Sequence, residues 1–79
     1  MRVVSDGFFT ICVYSDEATQ PHHLPHCHVR SPDGDVVVAL PILKLIVGKN
    51  LSKRANTLLK NNFDKICDAW NKLNPESEI

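Results

Sequence analysis

No apolar run in this 79-residue chain approaches the roughly 20 residues needed to cross a bilayer. Net charge is lacking as well, since nine basic residues balance nine acidic ones. A uniformly basic nucleic-acid binder is thereby excluded for the whole chain, though not for one of its surfaces. Cysteine is sparse. Cys12, Cys27 and Cys67 are odd in number and share no Cys-x-x-Cys spacing, which speaks against a disulfide framework. The first residues, Met-Arg-Val-Val-Ser-Asp, hold no long apolar stretch ending in a small-residue cleavage site. These features predict a cytoplasmic protein with free thiols. A glycine-rich phosphate loop, His-Glu-x-x-His, zinc-finger spacing, repeats and low-complexity tracts are absent from the sequence.

What remains is a composition suited to one small folded domain over residues 1–79. Apolar residues make up 43% of the chain and charged residues 23%, values that argue against disorder. A chain of this length buries only about 60% of its unfolded surface, so its core must be small. The charge is unevenly placed. Arg2, Arg30 and Lys44 oppose five acids in residues 1–48, leaving −2. Residues 49–72 carry six bases against Asp64 and Asp68, leaving +4, and Glu76 and Glu78 return the sum to zero. The last third thus offers a moderately basic surface. A solvated helix face accounts for it, and so does a phosphate-bearing partner held by Arg54, Lys60, Lys65 and Lys72.

Residues 8–14 are rich in aromatic and β-branched types and predict a strand. Residues 15–25 are polar and proline-punctuated and predict a loop. Ser31-Pro32-Asp33-Gly34 is a strong turn signal, because proline presets φ at the second position and glycine suits the fourth. It joins His26 and its neighbours to a return strand over residues 35–40. Pro41 breaks that strand, residues 42–47 predict another, and Gly48-Lys49-Asn50 a turn. From Leu51 the period changes to steps of three and four through Ala55, Leu58, Leu59, Phe63, Ile66, Cys67, Trp70 and Leu73. Ser52 predicts the N-cap, and Asn74-Pro75 the end. Asn61-Asn62 is the point at which this helix can divide. The expected fold is α+β: a small antiparallel sheet of three to four strands packed against one long C-terminal helix. Residues 1–7 and 75–79 are expected to be mobile ends.

The four histidines fall within Pro21-His22-His23-Leu24-Pro25-His26-Cys27-His28-Val29-Arg30. In an extended strand His26, His28 and Arg30 share one face, with Cys27 and Val29 on the other. His22, four residues earlier on the loop, can reach back toward them. Three chemistries want this arrangement. His22, His26 and His28 can supply three nitrogens to zinc, with Asp33 and Asp35 behind them. Alternatively, two imidazoles can act as general base and general acid on a phosphodiester while Arg30 neutralises the developing charge. With the basic helix, that makes a metal-independent ribonuclease needing no cofactor. Finally, the cluster can simply pack a loop over the sheet. Cys27 as a nucleophile is disfavoured, because its neighbouring histidines face away from it.

The His22-x-x-Pro25-His26-x-His28-Val29 motif resembles DUF4160, a family of very small bacterial proteins. The resemblance covers most of the chain, from the first strand ending at Tyr14 through Gly48 to the helix with Leu58, Ile66 and Trp70. Leu24 stands where the family pattern usually has a first proline, and residues 15–21 form a longer loop than usual. The resemblance implies a type II toxin–antitoxin pair, with this chain as the toxin and a small cognate antitoxin-like protein as its partner. The expected function is action on RNA or the translation machinery through His22, His26, His28 and Arg30. The alternatives are a non-catalytic protein-binding module, in which an exposed strand edge and the basic helix dock a partner, and a small His-ligated metal protein. A homodimer stays open, and no membrane contact is expected.

Overall fold

A computed structural model of the chain describes residues 1–14, 25–48 and 50–79. Five strands run β1 Arg2–Ser5, β2 Thr10–Cys12, β3 His26–Arg30, β4 Val36–Ala39 and β5 Lys44–Val47. They form one antiparallel sheet in chain order, so every strand pairs with its sequence neighbour. Two helices follow, α1 Lys53–Asn61 and α2 Phe63–Leu73, and a 3-10 turn over Pro75–Ser77. The α+β reading holds. The expectation of three to four strands and one long helix is corrected to five strands and two helices among the described residues.

The extra strand comes from residues 2–5, which the sequence reading left in a mobile end. Val3 and Val4 pack against the core, and Asp6 closes the turn behind them. One Asp6 carboxylate oxygen accepts from the amides of Phe8 (2.9 Å) and Phe9 (2.7 Å). The other accepts from Arg54 Nε at 3.0 Å. Four residues are too short to show a strand period, so the signal here lay in the Asp6-Gly7 turn rather than in the strand. The remaining strands lie one or two residues inside their expected bounds.

The helix divides at Asn62. Its side-chain amide donates to the Leu58 carbonyl at 2.9 Å, and its own carbonyl accepts from Ile66 to open α2. An asparagine that bonds local backbone competes with the regular helical ladder. The predicted caps are present. Ser52 Oγ accepts from the Ala55 amide at 3.1 Å, and Asn74 follows the last residue of α2.

The core sits between the helices and one face of the sheet. Ile11, Val13, Cys27, Val29 and Val38 meet Ala55, Leu59, Ile66 and Trp70 there. Ile11, Leu59 and Ile66 are the largest fully buried side chains, each contributing on the order of 1.5–3 kcal/mol. The Ser31–Gly34 turn closes with Gly34 N–H on the Ser31 carbonyl, as expected. Gly48 is required where β5 ends. Its φ is +120°, and a Cβ there would stand 2.5 Å from Val36 Cγ1.

Replacing Leu59 by Ala should lower the unfolding free energy by about 2–5 kcal/mol, because nothing polar can fill the space left between α1 and the sheet. Urea denaturation measures this, and a loss below about 1 kcal/mol would contradict the packing described. Asp6 supplies a pH-dependent contribution. The Phe9 amide first, then the Phe8 amide and Arg54, hold its carboxyl below the ordinary value of 3.8. That stabilisation is complete above 3.8 and is lost as pH falls through the depressed value. Asp6→Asn should therefore flatten the acid limb of the stability curve while leaving the neutral-to-alkaline limb parallel to wild type.

Candidate functional site

The pairing register decides which side chains share the sheet face opposite the helices. Cys12 pairs with His28, Thr10 with Arg30, His26 with Ala39, and His28 with Val37. Arg2 pairs with Cys12, and Lys44 with Ala39. Since directly paired residues lie on one side, Arg2, Cys12, His26, His28, Arg30, Val37 and Lys44 all belong to this outer face. Cys27 and Val29, between them in the chain, point into the core at 0% and 1% exposure.

The two strand histidines come together. Their ring centroids are 5.2 Å apart in an edge-to-face arrangement. His26, buried at the start of β3, also lies 5.5 Å from the Trp70 ring, which reaches it from the C-terminal half of α2. His28 is half-buried and lies edge-to-face with the Tyr14 ring at a centroid distance of 4.9 Å. Arg30 is exposed at the far end of the strand, with Nε 3.8 Å from the Asp35 carboxylate. An exposed pair at that distance contributes little and is easily exchanged for another anion. His22 and His23 lie outside the described residues.

Tyr14 joins this site although the sequence reading treated it only as the end of a strand. Hydrogen bonding to the Cys12 side chain holds its hydroxyl above the ordinary phenol range, and the nearby Arg30 guanidinium opposes the shift. Its carbonyl accepts from Asn74 Nδ2 at 3.1 Å, which ties the end of β2 to the end of α2. The signal that could have found it is parity, since Tyr14 stands two residues after Cys12. The pairing of Cys12 with His28 was not readable without the register.

The four candidate nucleic-acid contacts on the helices do not form one patch with the histidines. The helices cover the inner face of the sheet, and the histidines occupy the outer one. Arg54 is drawn to Asp6, and its guanidinium lies 5.5 Å from the Phe8 ring and 5.8 Å from the Phe9 ring. Lys60 and Lys65 flank the helix break and line a surface cavity of about 490 Å³ with Phe63 and Asp64. Lys72 is exposed in the last turn of α2. A larger cavity of about 540 Å³ lies between the Ser31–Gly34 turn and the start of α1, and its lining includes neither His26 nor His28.

Among the described residues no three His, Cys, Asp or Glu side chains form a group able to hold a metal ion. The zinc reading of His22, His26 and His28 includes His22, which lies outside the described residues. No described helix is long and apolar enough to cross a membrane.

Residues 9–71 match the family described as Domain of unknown function (DUF4160). The chain belongs to the DUF4160 family. The match spans the sheet from before β2, the whole of β3 and α2 as far as Asn71, so it includes Cys12, His26, His28, Arg30, Val37 and Lys44 of the outer face but not Arg2. No curated protein and no solved structure matches this DUF4160 chain.

Cys27 is not placed for nucleophilic work in the DUF4160 fold. Burial, followed by the neighbouring Cys67 and Cys12, pushes its thiol up to about 12. At neutral pH it is a protonated core side chain. Maleimide should leave Cys27 unlabelled in the folded protein at pH 8 and label it fully in denaturant, with mass spectrometry reading the site. Rapid labelling in the folded state would contradict the inward orientation. The same burial makes folding stability greatest below the ordinary thiol value of 9.0 and lowers it as pH rises toward about 12.

Proposed function

We propose that this DUF4160 protein is the toxin component of a bacterial type II toxin–antitoxin pair and acts on RNA through the outer face of β3. The observation that carries this reading is the contact of two imidazoles, His26 and His28, at 5.2 Å with an exposed guanidinium two residues further on. Strand geometry holds all three on one side.

The chemistry such a group suits is transesterification of an RNA phosphodiester. One imidazole takes the proton from a ribose 2′-hydroxyl, whose oxygen bonds to phosphorus. The bond from phosphorus to the 5′-oxygen breaks, and the second imidazole gives that oxygen its proton. Arg30 is the group available to balance charge on the phosphoryl oxygens, releasing Asp35 as it does so. The step needs no redox partner, and it needs no metal. His28 is the more exposed imidazole, and His26 backs it against Trp70.

A toxin of this kind requires a small protein partner. The apolar surface available to one lies around β5, where Ile42, Ile46 and Val47 are 71%, 47% and 56% exposed. An exposed aliphatic edge strand is the usual template for pairing with a second chain.

Expression of the chain in bacteria should arrest growth, and His28→Ala should restore it without moving the thermal melt. The purified wild type should cleave RNA in the presence of a chelator, with His28→Ala slowing cleavage about 100-fold or more. Full growth arrest by a folded His26→Ala/His28→Ala double variant would end the catalytic reading. Cleavage lost on chelation and restored by zinc would favour a His-ligated metal instead.

A further inference from the structure

We propose that the ligand of the outer sheet face is single-stranded RNA, laid across the strands with bases on Tyr14 and His28 and phosphates on Arg2, Arg30 and Lys44. This names the substrate class for the same site, and so it rests on the reading that the protein acts on RNA.

Charge complementarity is the first argument. Arg2, Arg30 and Lys44 come from β1, β3 and β5, and the register puts all three on the outer face. All three are exposed. The paired positions between them are Cys12, Thr10, His26, His28, Val37 and Ala39; none is a carboxylate, and Cys12, His26 and Ala39 lie buried beneath the longer side chains that a ligand would meet. Asp35, the acid at the rim, is already paired to Arg30. A chain with no net charge has therefore gathered three cations on one sheet face, spread over four interstrand gaps of roughly 4.8 Å each.

The second argument is ring geometry. Tyr14 is 37% exposed and lies edge-to-face with the half-buried His28, 4.9 Å away. Rings held on a sheet between cations offer π-faces to unstacked bases, the arrangement used by sequence-tolerant single-strand binders. A duplex hides its bases and presents phosphates, so it would gain from the cations but not from the rings. The helix lysines at 60, 65 and 72 lie in the other layer and stay outside this path.

The probe is a fluorescein-labelled 2′-O-methyl RNA of mixed sequence, single-stranded or annealed to its complement. It lacks the 2′-hydroxyl that cleavage would need, so anisotropy reads binding alone. The single strand should bind at least tenfold more tightly than the duplex. Tyr14→Ala should weaken binding about fivefold or more, while Tyr14→Phe, which keeps the ring, should not. With three phosphate contacts the slope of log K against log salt should be near −2, falling to about −0.7 in Arg2→Ala/Lys44→Ala. Lys65→Ala/Lys72→Ala should leave that slope unchanged. Absent binding, equal affinity for the duplex, a folded Tyr14→Ala that binds as wild type, or a slope carried by the helix lysines would each overturn the proposal. Tight single-strand binding without cleavage of ordinary RNA would uphold it and remove the ribonuclease reading. Cleavage and growth arrest that survive loss of this binding would overturn it alone.

Discussion

Alternation along β3 is the constraint from which the rest of the molecule follows. Five residues serve two opposed purposes in turn. Cys27 and Val29 are sealed against the helices, and His26, His28 and Arg30 are turned to the opposite side. A shift of one residue in pairing would turn the half-buried His28 and the exposed Arg30 into an apolar core and expose Cys27 and Val29. The cost of burying those polar groups unpaired, several kcal/mol in an apolar setting, makes that alternative uncompetitive. The register is therefore fixed by the core, and the outer face is arranged as a consequence of it.

Both ends of the site are held by connections of different kinds. At the β1–β2 turn, Asp6 gathers two amides and Arg54, so a helix cation is used to hold the sheet. At the other end, Asn74 binds the Tyr14 carbonyl while Trp70 touches His26, so the last turns of α2 brace the start of β3. The break at Asn62 starts a new helix before the segment that carries Ile66, Trp70 and Asn74 to these contacts.

The outer face differs from the helix layer in how its charge is kept available. Arg54 is held by a carboxylate and two rings, whereas Arg30, beside the Tyr14 hydroxyl, faces an exposed carboxylate at 3.8 Å. Cations held loosely beside partly open rings can change partners at small cost, which suits a face that meets an anionic strand.

Local pattern was enough to determine the α+β class, the Ser31–Gly34 turn, the Ser52 and Asn74 caps, the inward stripe of Leu59, Ile66 and Trp70, and the shared side of His26, His28 and Arg30. Each is set by neighbours within a few residues, through turn chemistry, capping or the periods of strand and helix. Tertiary structure decided that residues 2–5 would pair with β2, that Tyr14 would meet His28, and that Arg54 would be taken by Asp6 rather than left for a ligand. Those outcomes depend on which strand lies beside which and in what register. Pairing across the sheet and the inward packing of the helices set that geometry together, and no short stretch of the chain carries it.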